Sequence, residues 1–106
     1  MNENIHVIGA TFRVSGPVRI GGEWPDITDW TVTAALRGPG FLQPFACSLA
    51  WDAEKGCTMI TLEITAEEQA RWRAGRAWFD VRFVSPGGDV LVTTKVFLVL
   101  QEPVTK

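Results

Sequence analysis

The chain has 106 residues, 46% of them apolar and 21% charged, with a formal net charge of −2. That length holds one hydrophobic core and not two, and the apolar content excludes a disordered chain. The slightly acidic balance excludes nucleic-acid binding by phosphate neutralisation, and no apolar run approaches the ~20 residues that span a bilayer. The start, Met1-Asn2-Glu3-Asn4, carries an acid where a secretory signal carries base, so the expected setting is a cytoplasm. One domain over residues 1–106 is expected, with residues 1–9 an N-terminal arm or edge strand.

Period-2 alternation dominates from there on, the mark of half-buried strands. Between Thr11 and Ile20 the apolar Phe12, Val14, Val18 and Ile20 share one parity, interrupted by Gly16-Pro17, which points to a bulge or an edge strand. Gly21 to Asp29 is a loop containing Trp24-Pro25-Asp26. Trp30 to Arg37 forms the next strand, with Trp30, Val32, Ala34 and Leu36 inward, and Gly38-Pro39-Gly40 breaks it.

Phe45 to Asp52 and Cys57 to Ile64 form a hairpin across Ala53-Glu54-Lys55-Gly56. A four-residue loop pairs Trp51 with Thr58, Leu49 with Ile60, Cys47 with Leu62 and Phe45 with Ile64, so apolar residues meet on one face. Cys57 then falls opposite Asp52 on the outer face, roughly 17 Å along the strands from Cys47 at about 3.4 Å per residue. Both cysteines are therefore expected as free thiols, Cys47 in the core.

Thr65-Ala66-Glu67-Glu68 has the capping-box pattern, and a short crossover helix is expected from Ala66 to Arg73, closed by Gly75. The last hairpin, Ala77 to Ser85 and Val90 to Leu100, turns at Pro86-Gly87-Gly88-Asp89. It pairs Phe83 with Val92, Phe79 with Val96, Trp78 with Phe97 and Asp80 with Lys95. Val96 to Leu100 is apolar on both faces and needs a cover on its outer side, either the segment around Ile5-His6-Val7-Ile8 or another chain. About seven strands and one helical crossover make an antiparallel two-sheet β-sandwich.

Catalytic chemistry finds little to work with. His6 is the sole histidine, which rules out a histidine-dependent triad and a multi-histidine metal site; it is expected as a solvated arm residue. Glu67 and Glu68 suit a first helical turn, and Asp26 and Asp29 suit Asx-turn and capping roles. Gly21-Gly22 lacks the lysine and hydroxyl of a phosphate loop. No catalytic residue, cofactor or metal is expected.

Five tryptophans and no tyrosine are the feature that calls for a function. Trp30 and Trp51 have inward parity and are expected in the core. Trp24, Trp78, Phe97 and Val99 are the candidate interface residues, because aromatic side chains anchor protein interfaces. A carbohydrate-binding module that stacks sugars on Trp24 and Trp78 is the alternative.

Asp26-Ile27-Thr28 leading into Trp30 to Arg37, a crossover ending in Gly75, Phe79-Asp80-Val81-Arg82, the turn Gly87-Gly88-Asp89 and a closing Pro103-Val104-Thr105 together resemble small immunoglobulin-like structural proteins of tailed bacteriophages and prophages, in the style of baseplate upper-protein N-terminal domains. The resemblance implies an Ig-like sandwich and a structural role in a tail, baseplate or neck, assembled in the bacterial cytoplasm. It implies contacts within a homo-oligomer or with other phage structural proteins, and no catalytic residues.

Overall fold

The computed structural model describes residues 4–103. In chain order its strands are β1 Ile5–Val7, β2 Phe12–Val18, β3 Thr31–Gly38, β4 Phe41–Pro44, β5 Ala46–Asp52 and β6 Cys57–Ile64. After a 3-10 turn at Glu67–Gln69 come β7 Gly75–Phe79, β8 Val81–Val84, β9 Val90–Val92 and β10 Val96–Gln101. One sheet has the order β1-β10-β7-β3-β8-β9 with β4 on the flank of β3, and the other has the order β2-β6-β5.

The strand count exceeds seven because long strands are interrupted. β7 and β8 are halves of one strand and run against β3 in a single register, with Arg37 opposite Trp78 and Ala34 opposite Val81. Taken as one, they sit between β3 and the last hairpin strand. The pairings β2-β6-β5 and β3-β7/β8-β9/β10 are then the B-E-D and C-F-G neighbours of an immunoglobulin sandwich. Between the sheets lie Ile27, Leu36, Ile64 and Leu100, each no more than 1% exposed. Phe12, Phe45 and Phe79 meet edge to face among them, with ring centroids 5.1–6.4 Å apart.

The hairpin of β5 and β6 has the expected register: Trp51 faces Thr58, Leu49 faces Ile60 and Cys47 faces Leu62. Phe45 departs from it, donating its amide to Ala34 O, 2.9 Å away on the opposite sheet, where its ring enters the core. The segment from Phe41 to Pro44, unread in the sequence, is a strand on β3. Gly38 permits this tight return, since a Cβ there would land in the Phe41 ring.

Further expectations need correction. The helix from Ala66 to Arg73 is only a 3-10 turn. The reciprocal bonds of the capping box do form, Thr65 N donating to Glu68 Oε1 at 3.0 Å and Glu68 N to Thr65 Oγ1 at 3.3 Å. A second turn does not follow, because Gln69 and Trp72 both turn into the protein and β7 begins three residues later. Gly75 is accordingly a strand residue, with φ +144° and Pro39 packed where a side chain would start.

His6 is not a free arm residue but is half-buried. It stacks on Phe12 at 4.6 Å, meets Trp72 edge-on, and places Nε2 3.0 Å from Gln69 Oε1. Trp51 is not core but 44% exposed, because β5 is an edge strand and nothing closes over its end. Cys57 is buried instead of outward-exposed, at the foot of a shallow hollow it shares with Pro17, Trp24 and Lys55.

The last hairpin keeps its expected register in β7 and β10, with Trp78 facing Phe97, but slips by one in β8 and β9, where Phe83 faces Leu91. Thr93 causes the slip. Its amide donates to Val81 O (3.0 Å) and its hydroxyl accepts from Val81 N (2.9 Å), so Thr94 and Lys95 together oppose Asp80 in a β-bulge.

Candidate functional site

Because side chains alternate across a sheet, the registers define what its outer face presents. Leu42, Arg37, Trp78 and Phe97 are mutual partners across β4, β3, β7 and β10, forming one row. At about 4.8 Å per strand the row is roughly 14 Å wide. Two residues along, Arg76, Val99 and Ile5 form a second row across β7, β10 and β1. Three of the four residues singled out by sequence, Trp78, Phe97 and Val99, thus share one surface.

That surface is partly open. Phe97 is 64% exposed, Ile5 and Leu42 more than half, while Trp78 and Val99 are half-buried. The N-terminal arm does not cover it. β1 runs parallel to β10 and pairs with its edge, Ile5 opposite Val99 and Val7 opposite Gln101, extending the face instead of capping it. The partial burial of Trp78 has another cause. The Arg37 guanidinium lies over its ring at 5.3 Å and the Lys95 ammonium at 4.3 Å, one cation from each side of β7. Lys95 reaches the indole from the bulge, immediately before β10 begins at Val96.

The face is an aromatic and aliphatic surface studded with guanidinium groups, the composition that marks the centre of protein interfaces. Among the described residues, Arg37, Arg76, Arg82 and Lys95 stand on it with one carboxylate, Asp80. Sequence reasoning found the aromatics and missed the cations. Arg37 joins Trp78 only through the β3–β7 register, and Leu42 through a strand that its flanking glycines and prolines disguised.

Trp24 lies elsewhere. It is 46% exposed on the loop between β2 and β3, with the Arg19 guanidinium 5.5 Å from its ring centre. The same loop is pinned to the sandwich: Ile27 N donates to Thr58 Oγ1 (3.1 Å), which in turn donates to Pro25 O (3.0 Å). Asp26 forms the expected Asx-type turn, accepting from Thr28 N and Thr28 Oγ1, and those bonds hold its carboxyl below the usual range.

Two open grooves of about 360 and 430 Å³ lie along the rim where β2 faces β10 and β9. Their linings are chiefly apolar, and their ionisable side chains are His6 and Arg13 in one and Arg19 in the other. Among the described residues, no three His, Cys, Asp or Glu side chains come together as a metal site would require. Cys47 and Cys57 are free thiols. Burial pushes the Cys47 thiol up, against a smaller opposing hydrogen bond from the Ala34 backbone. No protein-family model matches the chain, and no curated protein matches it.

Proposed function

We propose that the chain is a non-enzymatic docking module that assembles with other protein through the outer face of its seven-stranded sheet, as a structural component of a tailed-phage or prophage virion does. The observation that carries this reading is the row Leu42-Arg37-Trp78-Phe97, with Phe97 exposed at 64% beside an indole held between two cations. Apolar surface of this kind is stabilised by removal from water, and aromatic and arginine side chains dominate the energy of protein contacts.

A photo-crosslinking phenylalanine analogue in place of Phe97, or of Ser48 on the outer side of β5, tests the reading in a culture that assembles virions. Adducts with virion protein from the Phe97 position alone are expected. No adduct at that position, or equal adducts from both, sinks the docking face. Adducts confined to protein outside the particles remove the virion assignment.

A further inference from the structure

Among the described residues, two regions carry opposite charge. The outer face carries Arg37, Arg76, Arg82 and Lys95 against Asp80, a net +3. The loops at one end of the sandwich carry the opposite sign. Val18 beside Thr58, Asp52 beside Cys57, and Thr31 beside Val84 bring the β2–β3 loop, the β5–β6 turn and the β8–β9 loop to that common end. Glu23, Asp26, Asp29, Asp52, Glu54 and Asp89 lie there, against Arg19 and Lys55, a net −4. The end also exposes Trp24.

Most of the basic face lies beyond reach of the acidic end; Arg82 is the exception, facing Thr33 only two residues from Thr31, about 7 Å at about 3.3 Å per residue. Arg37 is six residues down β3 from Thr31, roughly 20 Å at about 3.3 Å per residue. That is about twice the ~8–10 Å over which exposed charges interact at ordinary salt. Two copies packed face to face would set Arg37, Arg76, Arg82 and Lys95 against their own images, which like-charge repulsion opposes. The end of another copy offers what the face lacks: carboxylates for the guanidinium groups and one exposed indole for the apolar row.

Resting on the docking role proposed above, we infer that the partner of the outer face is the acidic loop end of a second copy of this chain. The contact is head-to-tail. A contact of that type uses two different patches per copy, so it propagates into a closed ring or an open filament and does not stop at a dimer.

Light scattering on the intact chain, across protein concentrations at low and high salt, tests this with two double variants. Arg76→Glu with Arg82→Glu reverses the face from +3 to −1, and Asp29→Arg with Glu54→Arg neutralises the end from −4 to zero. All four side chains are exposed, and circular dichroism checks that both variants fold. The expected wild-type mass grows with concentration and falls with added salt. Each variant alone is expected to associate at least tenfold more weakly. Mixed together they are expected to form a one-to-one pair that grows no further, since each supplies the patch the other lacks. An end variant that still associates like the wild type overturns the inference in favour of face-to-face pairing. A wild type that stays monomeric throughout also overturns it; crosslinks from the Phe97 position to a different protein would then leave the docking role standing, and their absence would remove both.

Discussion

Gln69 is 1% exposed, and its amide ties together segments distant in sequence. Its Nε2 donates to Ala10 O (2.6 Å) and Thr65 O (3.2 Å), while its Oε1 accepts from Gly9 N (2.9 Å) and faces His6 Nε2. Gln69→Leu leaves part-buried backbone groups of Gly9, Ala10 and Thr65 without this partner, and a loss of about 1–3 kcal/mol in urea unfolding is expected. Nothing in Glu67-Glu68-Gln69-Ala70 distinguishes this residue by pattern, because the turn that follows a capping box reads as solvated whatever its side chains reach. His6 was illegible for the same reason: its role depends on Gln69, 63 residues away, and on Phe12 brought back beside it after the turn at Gly9. Asp26 was legible, since Asp-x-Thr turns close over two residues. Its folded pKa is lowered, first by the Thr28 hydroxyl and then by the Thr28 amide. The ionised form is therefore favoured on folding, and that contribution is present above the ordinary carboxyl range and lost as pH falls through the folded value. Thr28→Val is expected to move the Asp26 titration upward, read by carboxyl NMR. Cys47, its thiol raised by burial, is expected to alkylate more slowly in the native protein than in urea.

Strands and their partners were readable where pairing is continuous. Between β5 and β6, and between β7 and β10, apolar residues fall opposite apolar residues in one register only, and counting from the turn finds it. Counting fails across β8 and β9, where a threonine hydroxyl substitutes for a backbone acceptor and absorbs one residue. It also fails at β4, whose four residues follow Gly-Pro-Gly and lean on a neighbour for every ladder bond. Parity still sorts cost. Leu62→Ala and Phe79→Ala, at sites 2% and 4% exposed, are expected to lose about 2–5 kcal/mol, while Thr31→Ala, exposed on β3, is expected to stay within about 0.5 kcal/mol. Equal losses by denaturant titration would mean the inner and outer faces are wrongly assigned. Gly75→Ala tests the strand that replaced the helix: φ +144° and a Pro39 Cγ 2.7 Å from the new Cβ should make it more costly than Gly87→Ala in the open β8–β9 loop.

For the molecule as a whole, the sandwich was legible from alternation, and the three residues of the candidate face from parity along β7 and β10. The charge pattern was not, since a net charge of −2 conceals a basic face and an acidic end that only the fold separates. The arm was only half legible. Its three residues announced an apolar strand but not its direction, and direction decides how the domain responds to force. β1 and β10 are neighbours and run parallel, Ile5 to Val7 beside Val99 to Gln101, with Val99 N on Asn4 O at 2.8 Å and Ile8 N on Gln101 O at 2.9 Å. Tension that draws Asn4 and Gln101 apart acts along this ladder in shear, so its hydrogen bonds stretch together and must fail together. An antiparallel arm joined to the same edge would peel open one bond at a time. The direction of a three-residue strand thus sets whether this edge is loaded in shear or in peeling.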